Sequence, residues 1–92
     1  MNKEIIINGK SYNLKKIDFD AICYLEDLGF STSDLKSKTF SSTRACFAFH
    51  SGLDLVKAGH EIEEHVKNKG KFTDFAPFIT SVVESDFFQS LS

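Results

Sequence analysis

The sequence predicts an α+β fold that is mainly helical: an N-terminal β-hairpin over residues 4–14, then three to four helices, in a single domain covering residues 1–92. Three observations predict it. Two short strand-like runs flank Asn8-Gly9, a dipeptide suited to the φ > 0 conformations of a type I′ turn. Apolar residues then recur at helical spacing through the rest of the chain. Gly29 and Gly70 stand where two of these helical patterns stop.

Residues Glu4 to Ile7 are rich in β-branched side chains, and Lys10 to Leu14 return as the second strand, with Tyr12 and Leu14 on one face. Two strands alone are marginal in water, so the hairpin must lie on helices or pair with another chain. Asp18 is a good N-cap, and Phe19, Ile22, Leu25 and Leu28 follow, so a helix is expected over about 18–28. Phe30 to Thr39 read as a loop, with one turn around Asp34 to Lys36. Ser41 or Ser42 is expected to cap a helix over 42–53, with Ala45, Ala48, Phe49 and Gly52 as a close-packing stripe. Leu53 to Val56 form a short link. A largely polar surface helix over 58–69 follows, with Ile62 and Val66 four apart. The last helix is expected over 73–91, with Pro77 in its first turn, where a missing N–H costs little.

Composition narrows the class. An apolar share of 41% and a charged share of 26% fit a globular chain rather than a disordered one. A formal net charge of -2 lacks the positive excess that nucleic-acid binding needs, and Arg44 is the only arginine. Lys67, Lys69 and Lys71 cluster around Gly70, where cations answer a helix C-terminus. No apolar run approaches the roughly 20 residues of a membrane span, so no membrane partner is expected. The start, Met1 to Gly9, is too short for a secretory leader and is broken by Glu4 and Asn8. Cys23 and Cys46 lie in helical patterns and read as reduced, small hydrophobes of a cytoplasmic protein, with a disulfide between them still open.

Tests for chemistry leave no catalytic, cofactor-binding or metal residue, and no enzyme is expected. His60 and His65 bracket a zinc-protease-like run, but that chemistry needs histidines at i and i+4. A spacing of i+5 turns the second imidazole about 140° from the first. The pairs His60–Glu64 and Glu61–His65 are the better reading. His50 and Ser51 are adjacent and point apart, and Cys46 with His50 reads as a packing pair. The five glycines are scattered singly, so no phosphate-cradling loop exists.

One feature points to partners. Asp86-Phe87-Phe88-Gln89-Ser90-Leu91-Ser92 is unusually apolar for a terminus. Either the last helix is sandwiched in the core, or it shows anchors to a partner. The candidate partner-binding residues are Phe78, Val82, Phe87, Phe88 and Leu91. Hairpin edges that pair between copies would make a homo-oligomer.

The run Ile5-Ile6-Ile7-Asn8-Gly9-Lys10-Ser11-Tyr12-Asn13-Leu14, followed by Phe19-Asp20-Ala21-Ile22-Cys23-Tyr24-Leu25-Glu26-Asp27-Leu28-Gly29, resembles the tail assembly chaperones of long-tailed phages and prophages of Gram-positive bacteria. Those proteins tend to open with an INGK-x-Y-x-L hairpin and a helix of the form F-x-x-hydrophobic-C-x-L-E-x-x-G. Ser42-Thr43-Arg44-Ala45 with Gly52-Leu53 is similar to the family's next helix. The resemblance implies a non-enzymatic protein of the bacterial host cytoplasm. Its partner would be the tape measure protein, kept soluble until tail tube protein polymerises around it. Tyr12, Leu14, Phe19, Leu25, Glu26 and Gly29, which match the family, read as structural. The alternatives are a phage structural or connector protein, or a small host- or DNA-binding regulator.

Overall fold

The computed structural model describes residues 4–31 and 33–91, so the first three residues and Thr32 of the expected loop lie outside it. Strands β1 (Glu4–Ile7) and β2 (Lys10–Asn13) pair antiparallel, with Ile7 opposite Lys10 and Ile5 opposite Tyr12. Asn8 and Gly9 take φ of 53° and 76°, the two positive values of the predicted type I′ turn. Strand alternation sends Ile5 and Ile7 into the core and leaves Ile6 outside, 54% exposed. The turn is fastened to the helices by one side chain: Asn8 Nδ2 donates to the Glu61 carbonyl at 2.9 Å and to its carboxylate at 3.1 Å.

The helical segments are α1 (Phe19–Asp27), α2 (Asp34–Ser37), α3 (Thr39–Ser51), α4 (Leu55–Lys67), α5 (Ala76–Val83) and α6 (Asp86–Ser90), with a 3-10 turn at Phe72–Phe75 leading into α5. The α+β class with an N-terminal hairpin is therefore the one predicted. Asp18 caps α1 as expected, its carboxylate accepting the Ala21 N–H. At the other end Gly29 takes φ 94°, and the Gly29 and Phe30 N–H groups reach back to the Glu26 and Leu25 carbonyls. This is a Schellman stop, and it needs the left-handed residue that glycine supplies without strain.

Several boundaries differ from expectation, and at Asp54 and Ser85 the reason is a side chain that caps a helix. Helix α3 begins at Thr39, and Ser42 lies within it, buried, with its hydroxyl donating to the Lys38 carbonyl at 2.6 Å. Neither Ser41 nor Ser42 is the cap. Helix α4 begins at Leu55, because the Asp54 carboxylate accepts the Lys57 N–H at 2.7 Å and opens a helix before Ala58. The expected last helix is broken after Val83. The Ser85 hydroxyl donates to the Val82 carbonyl at 2.7 Å and accepts the Phe88 N–H at 3.2 Å, closing α5 and capping α6.

Helix α3 is the centre of the molecule. The expected stripe of Ala45, Ala48, Phe49 and Gly52 is too narrow: Ser42, Thr43, Ala45, Cys46, Phe47, Ala48 and His50 are all buried, while Phe49 is half-buried and Gly52 exposed. The helix packs against α1, α2, α4, α5 and β2. Phe47 has no exposed surface, and its ring meets Tyr12 at 5.2 Å, Phe75 at 5.2 Å and Phe78 at 4.9 Å between centroids. The edge-on contacts with Tyr12 and Phe75 set the positive rim of one ring against the negative face of another.

Helix α4 stops in a costlier way than α1. Lys69, not a glycine, takes the left-handed conformation at φ 72°, and Gly70 follows. The Gly70 N–H donates to the His65 carbonyl at 2.8 Å, and a Cβ on Gly70 would collide with that carbonyl and with the imidazole. Glycine is thus required at 70 for space, while lysine at 69 carries left-handed strain.

Two outcomes are expected. Phe47→Ala should cost about 3–5 kcal/mol, a large part of the roughly 5–15 kcal/mol that holds such a domain together; urea denaturation followed by circular dichroism reads it. Lys69→Gly should raise stability by up to about 1 kcal/mol by removing the left-handed strain, and Gly70→Ala should lower it; an unchanged or lower midpoint for Lys69→Gly would contradict the αL assignment.

Candidate functional site

The five candidate partner-binding residues do not share one surface. Phe78 and Val82 have no exposed area and Phe88 has 1%, so these three are core. The reason is local. Phe78 and Val82 lie at i and i+4 on α5, which packs along α3. The break at Ser85 then reorients the chain so that Phe88 faces inward and Phe87 outward. Phe87 is half-buried and Leu91 is 46% exposed, and these two, four residues apart, share the outer side of α6.

The Phe87 ring meets Phe19 at 6.4 Å, nearly perpendicular, and Phe19 is 65% exposed in the first turn of α1. The structure thus replaces the expected Phe-rich stripe with a smaller surface of Phe19, Phe87 and Leu91. Helical spacing groups Phe19 with Ile22, Leu25 and Leu28, yet Phe19 does not share the buried side of α1. A signal of this is present in the sequence: Phe19 stands two residues before Ala21, about 200° round the helix from the buried Ala21–Leu25 line.

Two apolar clefts lie elsewhere. A groove of about 650 Å³ runs between α1, the end of α3 and the start of α4. Its walls are the half-buried Tyr24, Leu28, Phe49, Leu53 and Leu55, and Asp20, Asp54 and Lys15 stand around it. Lys15 Nζ sits 5.4 Å over the Phe49 ring, a cation–π contact. A smaller cleft of about 240 Å³ lies beside Phe40 and Phe72, whose rings are 5.1 Å apart, with Gly59 and Ile62 as neighbours.

The chemically able side chains are engaged structurally. His50, 4% exposed, accepts the Lys15 backbone N–H at Nδ1 (2.9 Å). Its proton must then sit on Nε2, which faces the Ser81 hydroxyl at 2.8 Å. Ser81 in turn donates to the Phe78 carbonyl at 3.1 Å. The His–Ser contact therefore runs in the wrong direction for general-base activation: the nitrogen facing serine gives a proton and has no free lone pair. Burial drives the His50 pKa down to about 4, and the Lys15 ammonium acts in the same direction. Cys46, four residues before His50, is fully buried and burial pushes its thiol up to about 12. Cys23 is half-buried, and burial and three carboxylates of α1 raise its pKa as well. Both cysteines are free thiols, and the disulfide left open by the sequence is not formed.

His65 and Glu61 do not pair with each other. His65 Nε2 meets Asp74 at 2.8 Å, and the same carboxylate oxygen accepts the Lys71 N–H at 3.1 Å, which together hold Asp74 below the usual carboxylate range. Glu61 turns to Asn8 and to Lys10, 3.4 Å away. Among the described residues no three His, Cys, Asp or Glu side chains converge as metal ligands, and no helix is long and apolar enough to cross a membrane. Comparison of the chain with protein-family models, curated proteins and solved structures returns no match.

The neutral His50 makes stability depend on pH. In the unfolded chain it takes its proton near pH 6.5, in the fold only near pH 4, so between those values the unfolded state binds more protons. Stability should be full above pH 6.5 and fall as pH drops towards 4. The loss should be roughly 2 kcal/mol, discounted from the full shift for solvent screening. Urea midpoints between pH 7 and pH 4 measure this, and a flat profile would mean that His50 is not held neutral.

Proposed function

We propose that this protein is a non-enzymatic binding protein that acts as a phage tail assembly chaperone, holding the tape measure protein soluble in the bacterial cytoplasm until tail tube protein assembles around it. The hairpin and first-helix motifs carry the resemblance behind this reading. The physical observation that supports it is the exposed Phe19 against the half-buried Phe87, with the exposed Leu91 one turn further along α6. An apolar stripe on a long helical client needs such a surface, and desolvated aromatic anchors carry most of the energy of helix-in-groove contacts. Among the described residues β1 pairs only with β2, and Ile6 stands exposed on its outer face, which supports a homo-oligomer with several client sites.

Co-expression with the tape measure protein tests this. The wild-type chain should raise the soluble fraction of the client and co-purify with it as an oligomer. Phe19→Asp with Leu91→Asp should return the client to its own solubility while leaving the circular dichroism spectrum and urea midpoint close to wild type, since both side chains face water. Phe88→Asp, by contrast, buries a charge and should unfold the domain. A folded double variant that still solubilises the client, or the presence of this chain in purified virions, would overturn the reading.

A further inference from the structure

We infer that the groove between α1, the end of α3 and the start of α4 is a docking site for an amphipathic helix of a partner protein whose apolar stripe is flanked by lysine or arginine. The shape supports a helical occupant. The groove is lined by five half-buried apolar side chains from α1 and its cap, α3, the link after it and α4, and α1, which forms one wall, runs about 14 Å. That is about two and a half turns, enough for anchors at i, i+3 or i+4, and i+7.

The charge around the groove fixes the sign of the partner. Asp20 and Asp54 stand on its rim, so carboxylates outnumber cations among the lining residues. Asp54 is close enough to Tyr24 for its charge to reinforce the effect of burial in raising the phenol pKa. Two helices also end here. Leu28 is the C-cap of α1 and Gly52 that of α3, and both line the groove, so two negative dipole ends face it against the one positive end of α4, whose Lys57 N–H the Asp54 carboxylate accepts. The single lining cation, Lys15, lies over the Phe49 ring, an internal example of a cation held on the groove's aromatic wall.

This surface is distinct from the Phe19–Phe87–Leu91 one, because Phe19 and Asp20 project about 100° apart round α1. The inference does not depend on which client the protein serves.

Three synthetic peptides of about 14 residues test it against the intact chain: a helix with a leucine stripe flanked by lysines, the same stripe flanked by glutamates, and a scrambled lysine–leucine sequence. Fluorescence anisotropy should show the first binding at least tenfold more tightly than the other two, with affinity falling as salt rises. Backbone amide shifts should concentrate at Tyr24, Leu28, Phe49 and Leu53. Asp20→Lys, at an exposed position, should weaken binding at least fivefold while the circular dichroism spectrum stays that of the fold and the urea midpoint drops only slightly, as expected for a cation in a first helical turn. Equal binding of the glutamate or scrambled peptide, shifts confined to the Phe19 surface, self-association through the groove without peptide binding, or an unaltered affinity for Asp20→Lys would each overturn the inference.

Discussion

The packing of Phe47 is the constraint on which the rest of the molecule depends. Its ring sits in the middle of α3 and touches the hairpin through Tyr12, the 3-10 turn through Phe75 and α5 through Phe78. A two-stranded sheet has little stability of its own, and α5 is only eight residues long. Neither would persist without a shared apolar surface, and a single aromatic cluster supplies one to both. Because a helix carrying that cluster is covered on nearly every side, α3 has little polar face, and its small residues, Ala45 and Ala48, are what let neighbouring elements approach it.

Burying most of α3, all but the side that carries Thr39, Phe40, Ser41 and Arg44, also brings polar groups inside. Ser42 bonds within its own helix, and His50 links the segment after β2 to α5 through the Lys15 N–H and the Ser81 hydroxyl. Among the described residues no buried side-chain nitrogen or oxygen lacks a hydrogen bond. The histidine thus acts as a polar clip between elements distant in sequence, and the same hydrogen bonds that place it remove its basic lone pair. A Ser–His contact of 2.8 Å is here a packing device, recognisable as such from the direction of its protons.

The ten phenylalanines divide by the same logic. Phe47, Phe75, Phe78 and Phe88 build the core, while Phe19 and Phe40 stand mostly in water, each beside a second, half-buried ring. Phenylalanine has no polar atom to gain from solvent, so paired exposed rings mark surface available to another molecule.

The sequence by itself determined the hairpin, its type I′ turn, the start and stop of α1 and the mainly helical remainder, because these rest on interactions within a few residues: Asn8-Gly9 with positive φ, the Asp18 carboxylate on the Ala21 N–H, and Gly29 in a Schellman stop. It also excluded a zinc pair at His60 and His65 by helical spacing alone. Only the tertiary structure decided which apolar residues of the C-terminal segment are core. Phe87 and Phe88 are adjacent and chemically identical, and the Ser85 hydroxyl, by ending α5 and capping α6, turns one inward and the other out. Phe19 is a related case: periodicity shows that a helix has an apolar side, but the width of the buried arc depends on what packs against it. Of the candidate residues between 78 and 91 only Phe87 and Leu91 keep appreciable exposed area, and Phe87 meets Phe19 through a contact across the fold that no local pattern encodes.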